Sequence, residues 1–142
     1  MGKKDRTAVP ENQISEQVIG AAIDVHRHLG PGLLESAYQE CLAHELALRR
    51  IPFEKEKSPP VCYKGVKLDC GYRVDFVVNG SVVVELKAVD EISAVHTAQL
   101  LTYLKLTGCR LGLLINWNVP VLRDGIRRVV LGLDEGTTGS GV

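Results

Sequence analysis

From Val18 to Leu29 the apolar residues Val18, Ile19, Ala22, Ile23 and Val25 return at three- and four-residue steps, which predicts a helix capped at Ser15 and stopped by Gly30-Pro31-Gly32. A second helix is predicted from about Leu33 to Arg50, where Leu34, Ala37, Tyr38, Cys41, Leu42 and Leu46 share one side and Pro52 ends the run. The period then shortens. Phe53 to Lys57, Val61 to Tyr63 and Val66 to Leu68 are short extended pieces broken by Pro59-Pro60 and Lys64-Gly65, an edge strand followed by a small hairpin. Tyr72 to Val78 and Val82 to Ala88 are the strongest strands, rich in valine and joined at Asn79-Gly80-Ser81. A third helix is capped by Ser93, carries Val95, Ala98, Leu101 and Leu104 or Lys105 at its period, and closes at Gly108. Arg110 to Ile115 and Gly125 to Leu133 complete the set as strands. This order argues for one α/β domain over residues 14–133, with helices flanking a mixed sheet and flexible segments at 1–13 and 134–142.

The loop between the two valine-rich strands decides which side chains meet, because side chains alternate faces along a strand. A two-residue Asn79-Gly80 loop would pair Val78 with Ser81 and put Asp75 and Glu85 on opposite faces. A three-residue loop, built as a type I turn with a glycine bulge, pairs Val78 with Val82 and Asp75 with Glu85. Val74, Phe76, Val78, Val82, Val84 and Leu86 then share an apolar face, and Arg73, Asp75, Glu85 and Lys87 gather on the other. Hydrophobic burial favours this second register.

Two carboxylates so paired stand roughly 5 Å apart at Cβ and repel unless neutralised. A divalent cation does this; so does a cross-strand salt-bridge cluster with Arg73 and Lys87, and spacing alone leaves both open. An all-oxygen donor set suits Mg²⁺ or Mn²⁺ better than zinc. Lys87 would orient or deprotonate water or meet charge on a phosphate. Gln99 and Tyr103, four residues apart on the third helix with His96 near the same stripe, would frame the site.

The chain resembles a known family at several points. Gly32-Leu33-Leu34-Glu35-Ser36-Ala37-Tyr38 is similar to the GxxExxY signature of small bacterial and archaeal proteins in the PD-(D/E)XK nuclease superfamily, and the similarity runs from about Ile14 to Leu131. Gly71-Tyr72-Arg73-Val74-Asp75-Phe76 resembles the superfamily's acidic strand, and Val84-Glu85-Leu86-Lys87 its ExK strand. Gln99 to Tyr103 is similar to the QxxxY motif of RecB-like exonucleases. The resemblance implies an αβββαβ core, metal held by Asp75 and Glu85 with Glu35 at a second metal or its water, Lys87 acting on the attacking water, and Gln99 and Tyr103 contacting substrate or fixing Lys87. Arg73 joins them as a substrate-binding candidate. Glu35 also has a plainer explanation, since a carboxylate in a helix's first turn is stabilised by the macrodipole. Tyr38 is expected in the core beneath Glu35.

Charge and composition refine this picture. The 142 residues carry 17 basic and 17 acidic side chains, a balance that counts against a tight, constitutive binder of nucleic acid. Cys41, Cys62, Cys70 and Cys109 form no CxxC pair and are expected as reduced, mostly buried thiols, and the four histidines make no HExxH pair. Cys41 and Cys109 lack a neighbouring base. Glu54-Lys55-Glu56-Lys57 is expected as a solvated strand edge, Arg123, Arg127 and Arg128 as surface residues, and Trp117 either as a loop anchor or as a stacking partner for a base. No apolar run approaches the ~20 residues of a membrane span and the start lacks a secretory signal, so the expected address is the cytoplasm.

The reading is therefore a metal-dependent, nuclease-like phosphodiesterase using Mg²⁺ or Mn²⁺ to hydrolyse nucleic acid, DNA in the first place, through a metal-activated water, and working as a homo-oligomer. The alternative from another class is a catalytically silent nuclease-fold protein acting as a self-assembling scaffold or nucleic-acid-binding module. A phosphorylated small-molecule ligand has no glycine-rich loop to support it.

Overall fold

The computed structural model describes residues 10–132. Its helices are α1 (Glu11–Leu29), α2 (Glu35–Leu48) and α3 (Ala94–Thr107), and its strands β1 (Phe53–Lys57), β2 (Val61–Tyr63), β3 (Val66–Leu68), β4 (Val74–Val78), β5 (Val82–Lys87), β6 (Leu111–Asn116) and β7 (Ile126–Val130), with a 3₁₀ turn at Leu122–Gly125. The main sheet has five strands in the order β1-β4-β5-β6-β7, and β2-β3 forms a separate two-stranded sheet. Among the described strands only the β5–β6 pair is parallel; its crossover is α3. Read as α2-β1-β4-β5-α3-β6, this is the expected αβββαβ core in a mixed sheet, extended by α1 and β7.

Both faces of the sheet are covered. Phe76, Val78, Val82, Val84 and Leu86 pack with Val18, Ala22, Tyr38, Leu42 and Leu46 of α1 and α2. Val77, Val83 and Leu114 pack on the opposite side with Leu100, Tyr103 and Leu104 of α3. Val74 departs from the expected alternation: it joins the α3-side cluster instead of the face of Phe76. The ladders on both sides of β4 skip its neighbour Asp75, and the backbone there leaves regular pleating, with Glu56 across from it at φ 57°.

Several boundaries shift for local reasons. α1 starts at Glu11, four residues before the expected Ser15, because Pro10 supplies a preset φ just ahead of the first turn. Ser15 is instead buried, and its hydroxyl donates to the Asn12 carbonyl at 2.9 Å. Of the expected flexible ends, residues 1–9 and 133–142 lie outside the described residues. The β4–β5 connection has the odd register, Val78 opposite Val82, but not the type I turn: Asn79 and Gly80 both hold positive φ, and the Ser81 N–H donates to the Val78 carbonyl. Ser93 caps α3 as expected. His96 answers it, its Nδ1 accepting from the Ser93 N–H at 3.0 Å, and so belongs to the cap and not to the stripe of Gln99 and Tyr103.

β1 lies at the sheet edge with its four charged residues exposed, as the alternating Glu-Lys run predicts. Cys109 is buried and Cys41 half-buried, but Cys62 and Cys70 are exposed on and beside the hairpin, contrary to expectation; all four thiols are free. Trp117 is fully buried and stacks on Tyr38, which makes it an anchor and excludes base stacking. Among the described residues, no helix is long and apolar enough to cross a membrane.

Candidate active site

Where β4 and β5 separate at one end of the sheet, Asp75 and Glu85 replace the missing rungs of the ladder. The regular pairing stops at Phe76 opposite Val84. Beyond it the Asp75 N–H donates to Glu85 Oε2 at 2.8 Å, and the Leu86 N–H donates to Asp75 Oδ2 at 2.8 Å. Each carboxylate thus satisfies a backbone donor of the opposite strand that would otherwise be buried without an acceptor.

This exchange holds both acids at the floor of an open recess of about 410 Å³, lined by Glu35, Gly71, Arg73, Asp75, Glu85, Lys87, Gln99 and Tyr103. All seven side chains singled out in the sequence converge there. Glu35 enters from the first turn of α2, Gln99 and Tyr103 from α3, and Lys87 from the last residue of β5. A larger hollow of about 530 Å³, between the end of α1 and the 3₁₀ turn, has Asp124 as its only carboxylate and so lacks this chemistry.

The site's acids are reluctant to ionise. Burial, then repulsion from Asp75, pushes the Glu85 carboxyl up to about 8, against the stabilising pull of the Asp75 N–H and Lys87. Asp75 is raised chiefly by burial, opposed by the Leu86 N–H, Lys87 and Arg73. Glu35 is raised by burial and by Asp75, so its surroundings act on it beyond its place at a helix start. Tyr103 is raised by burial and by the negative charges of Glu85 and Asp75.

Among the described residues, no ion pair within 4.0 Å joins Asp75 or Glu85 to Arg73 or Lys87, so the salt-bridge cluster left open by the spacing does not form. Backbone donors from the opposite strands and the raised proton affinity of Glu85 ease the repulsion between the two acids.

The donor set fits a hard cation only in part. Asp75 and Glu85 offer oxygens into one recess, and their raised affinity for protons marks negative charge that a cation would relieve. No group of three or more His, Cys, Asp or Glu side chains among the described residues forms a ready cage. Such a pair, with water and phosphate completing the shell, is how Mg²⁺-type ions are commonly held.

A model of the PD-(D/E)XK nuclease superfamily matches residues 12–129. The chain belongs to the PD-(D/E)XK nuclease superfamily. Its members generally use divalent metals and act on nucleic acid. No curated protein and no solved structure matches the chain.

In this PD-(D/E)XK chain two further polar residues support the recess and were not singled out in the sequence. Gln39 is buried on α2, one helical step after Glu35, and its amide donates to Asp75 Oδ1 at 3.4 Å. Asn116 stands opposite Lys87 in the β5–β6 ladder; its side chain accepts from the N–H groups of Val89 and Asn118 and donates to the Val89 carbonyl. The Trp117 N–H donates to the Lys87 carbonyl at 2.9 Å, so the backbone from Lys87 to Val89 is fixed. The only signal available beforehand was a glutamine among the core-facing positions Tyr38 and Leu42, and an asparagine ending an apolar strand.

Proposed function

We propose that this chain is a metal-dependent nuclease: a phosphodiesterase that hydrolyses nucleic acid, DNA in the first place, with Asp75 and Glu85 holding Mg²⁺ or Mn²⁺ and Glu35 as the third carboxylate. In this reading Asp75 and Glu85-Leu86-Lys87 supply the D and ExK of the superfamily's name, and the Glu35 and Tyr38 spacing supports membership of the GxxExxY group. The observation that carries it is the cross-bonded pair Asp75 and Glu85 at the floor of a recess that also receives Lys87.

The cation's contribution when bound is Lewis-acid chemistry, which withdraws charge from a phosphodiester and eases deprotonation of water. The chain's own residues do the rest. The Lys87 ammonium faces the recess beside the acids, where it stabilises charge accumulating on a phosphate and donates a hydrogen bond that orients the attacking water. Arg73, exposed at the recess mouth, pairs with a phosphate. Gln99 reaches substrate from the exposed side of α3, and Tyr103, buried with its ring edge-on to Tyr72 at 5.8 Å, orients the groups around it. The reading includes a cytoplasmic, homo-oligomeric protein.

The test is cleavage of labelled single- and double-stranded DNA and RNA by purified protein with Mg²⁺, Mn²⁺ or chelator. Cleavage should need the metal and fall by about 10² or more in Lys87→Ala and Glu85→Ala. Equal cleavage in both variants marks a contaminant and removes the support for this site; no cleavage of any substrate by the wild type overturns the proposal.

A further inference from the structure

The β2–β3 hairpin interrupts the connection between β1 and β4 and has no counterpart in the main sheet. Its register, Tyr63 opposite Val66 and Val61 opposite Leu68, puts these four side chains on one face. Val61 is half-buried, but the other three are uncovered: Tyr63 is 59%, Val66 55% and Leu68 41% exposed. At the tip Lys64 and Gly65 both take positive φ, which turns the chain tightly and lays the Lys64 ammonium 5.4 Å from the centre of the Tyr63 ring. Lys67 projects from the other face, opposite Cys62.

Charge singles out the same segment. Between Ser58 and Arg73 the chain holds three basic side chains, Lys64, Lys67 and Arg73, against Asp69 alone, although the whole protein is neutral. None of the three has an ion-pair partner among the described residues, whereas Lys55 pairs with Glu40 and Lys57 with Glu54. Asp69 is engaged locally, its carboxylate accepting from the Gly71 N–H at 3.0 Å. The hairpin then runs straight into the recess: Gly71 and Arg73 line it, and three residues from Leu68 to Gly71 span at most about 10 Å.

We infer that this hairpin is a platform for single-stranded nucleic acid, stacking an unpaired base on Tyr63 while Lys64 at the tip meets a phosphate and Arg73 passes the strand to the recess. An exposed ring beside cations that have no ion-pair partner among the described residues is an arrangement that binds single strands, because only unpaired bases present a free face for stacking. A protein partner fits less well, since six strand residues are far short of the ~20–30 residues per side of a stable interface. The inference rests on the nuclease reading for its purpose and deepens it by naming the substrate class, but its test reads binding alone.

Fluorescence anisotropy of labelled oligothymidine, oligouridine and a duplex of equal length, measured in chelator over a range of potassium chloride, separates the two questions. The wild type should bind the single strands more tightly than the duplex. Tyr63→Leu, which keeps an apolar side chain, should weaken single-strand binding by about tenfold. Lys64→Glu should flatten the logarithmic salt dependence by roughly 0.7, the share of one phosphate contact on a single strand. Preference for the duplex, or unchanged affinity in both variants, overturns the inference even where the protein cleaves nucleic acid. So does a wild-type dimer in sedimentation that Tyr63→Leu dissociates without changing oligonucleotide affinity.

Discussion

The rings of Tyr38 and Trp117 lie face to face, 4.6 Å apart and 6° from parallel, and so join the helix that carries Glu35 to the end of the strand beside Lys87. The Tyr38 hydroxyl donates to the Gly30 carbonyl at 2.5 Å and accepts from the Leu33 N–H at 3.2 Å, which fixes the turn leading into α2. Tyr38→Phe keeps the stack and strands two polar groups, and should cost about 1–3 kcal/mol. Trp117→Ala should cost about 3–5 kcal/mol through cavity formation. Trp117→Phe should cost less than Trp117→Ala, because it keeps a ring in the stack and the buried indole N–H it removes has no partner among the described residues. Urea unfolding followed by circular dichroism gives all three, and a Trp117→Ala protein as stable as wild type would contradict the anchoring role.

Glu85 makes the metal-free protein less stable as the solution becomes alkaline. Its carboxyl is pushed up from 4.5 to about 8 on folding, so between these values the folded chain keeps a proton that the unfolded chain has released. The folded state binds more protons, and stability falls as pH rises through this window, with the contribution fully present below about 4.5. Asp75 and Glu35, also raised, act in the same direction. Glu85→Gln keeps an oxygen to accept from the Asp75 N–H and cannot ionise. Its urea midpoint in chelator should therefore change less between pH 5 and pH 8.5 than that of the wild type; an identical pH dependence in the two proteins would show that Glu85 ionises freely.

Much of the fold and the recess was legible because the signals were local. The valine alternation on either side of Asn79-Gly80-Ser81 needed only strand geometry to put Asp75 and Glu85 together, and Ser93 and Gly108 marked both ends of α3. What could not be read depends on partners distant in sequence. Val77 and Val83, which strand alternation alone would put on the face of Asp75 and Glu85, are buried beneath α3, so that face is not simply polar. The break in the ladder at Asp75, where side chains replace backbone acceptors and Val74 turns to the other cluster, has no periodic signature. Gln39 gains its meaning only from Asp75, 36 positions later.

Gly125 packs against the backbone of Asn116, the residue opposite Lys87 in the β5–β6 ladder. A Cβ built there would meet the Asn116 carbonyl oxygen at 2.2 Å and Val119 Cγ2 at 3.0 Å, and backbone cannot yield as a flexible side chain can. Gly125→Ala should therefore destabilise the protein by about 1–3 kcal/mol or more. The strain falls on Asn116, opposite Lys87, so amide exchange at Val89, whose N–H bonds to the Asn116 side chain at 3.0 Å, should accelerate more than exchange in β4. Equal acceleration throughout the sheet would mean global destabilisation and no specific link to the recess.

Divalent cation should reverse the alkaline weakness. At pH 8 the Asp75 and Glu85 pair bears charge at a cost, and an ion that binds only the folded chain adds stability as its concentration exceeds the dissociation constant, about 2.7 kcal/mol at a hundredfold excess. Thermal unfolding of the wild type should therefore shift upward on adding Mg²⁺ or Mn²⁺ and return with chelator. Asp75→Asn and Glu85→Gln should lose most of the shift, since each removes a charged oxygen donor, while the conservative shape retains the bond to the opposing strand. Gln39→Leu should give an intermediate response: it deletes the amide that steadies Asp75 Oδ1 but leaves both acids in place. Calcium supplies a control on size, because a pair of carboxylates completed by water accommodates it with longer bonds. A cation-induced shift that persists undiminished in both Asp75→Asn and Glu85→Gln would place the ion elsewhere and detach these two acids from metal chemistry.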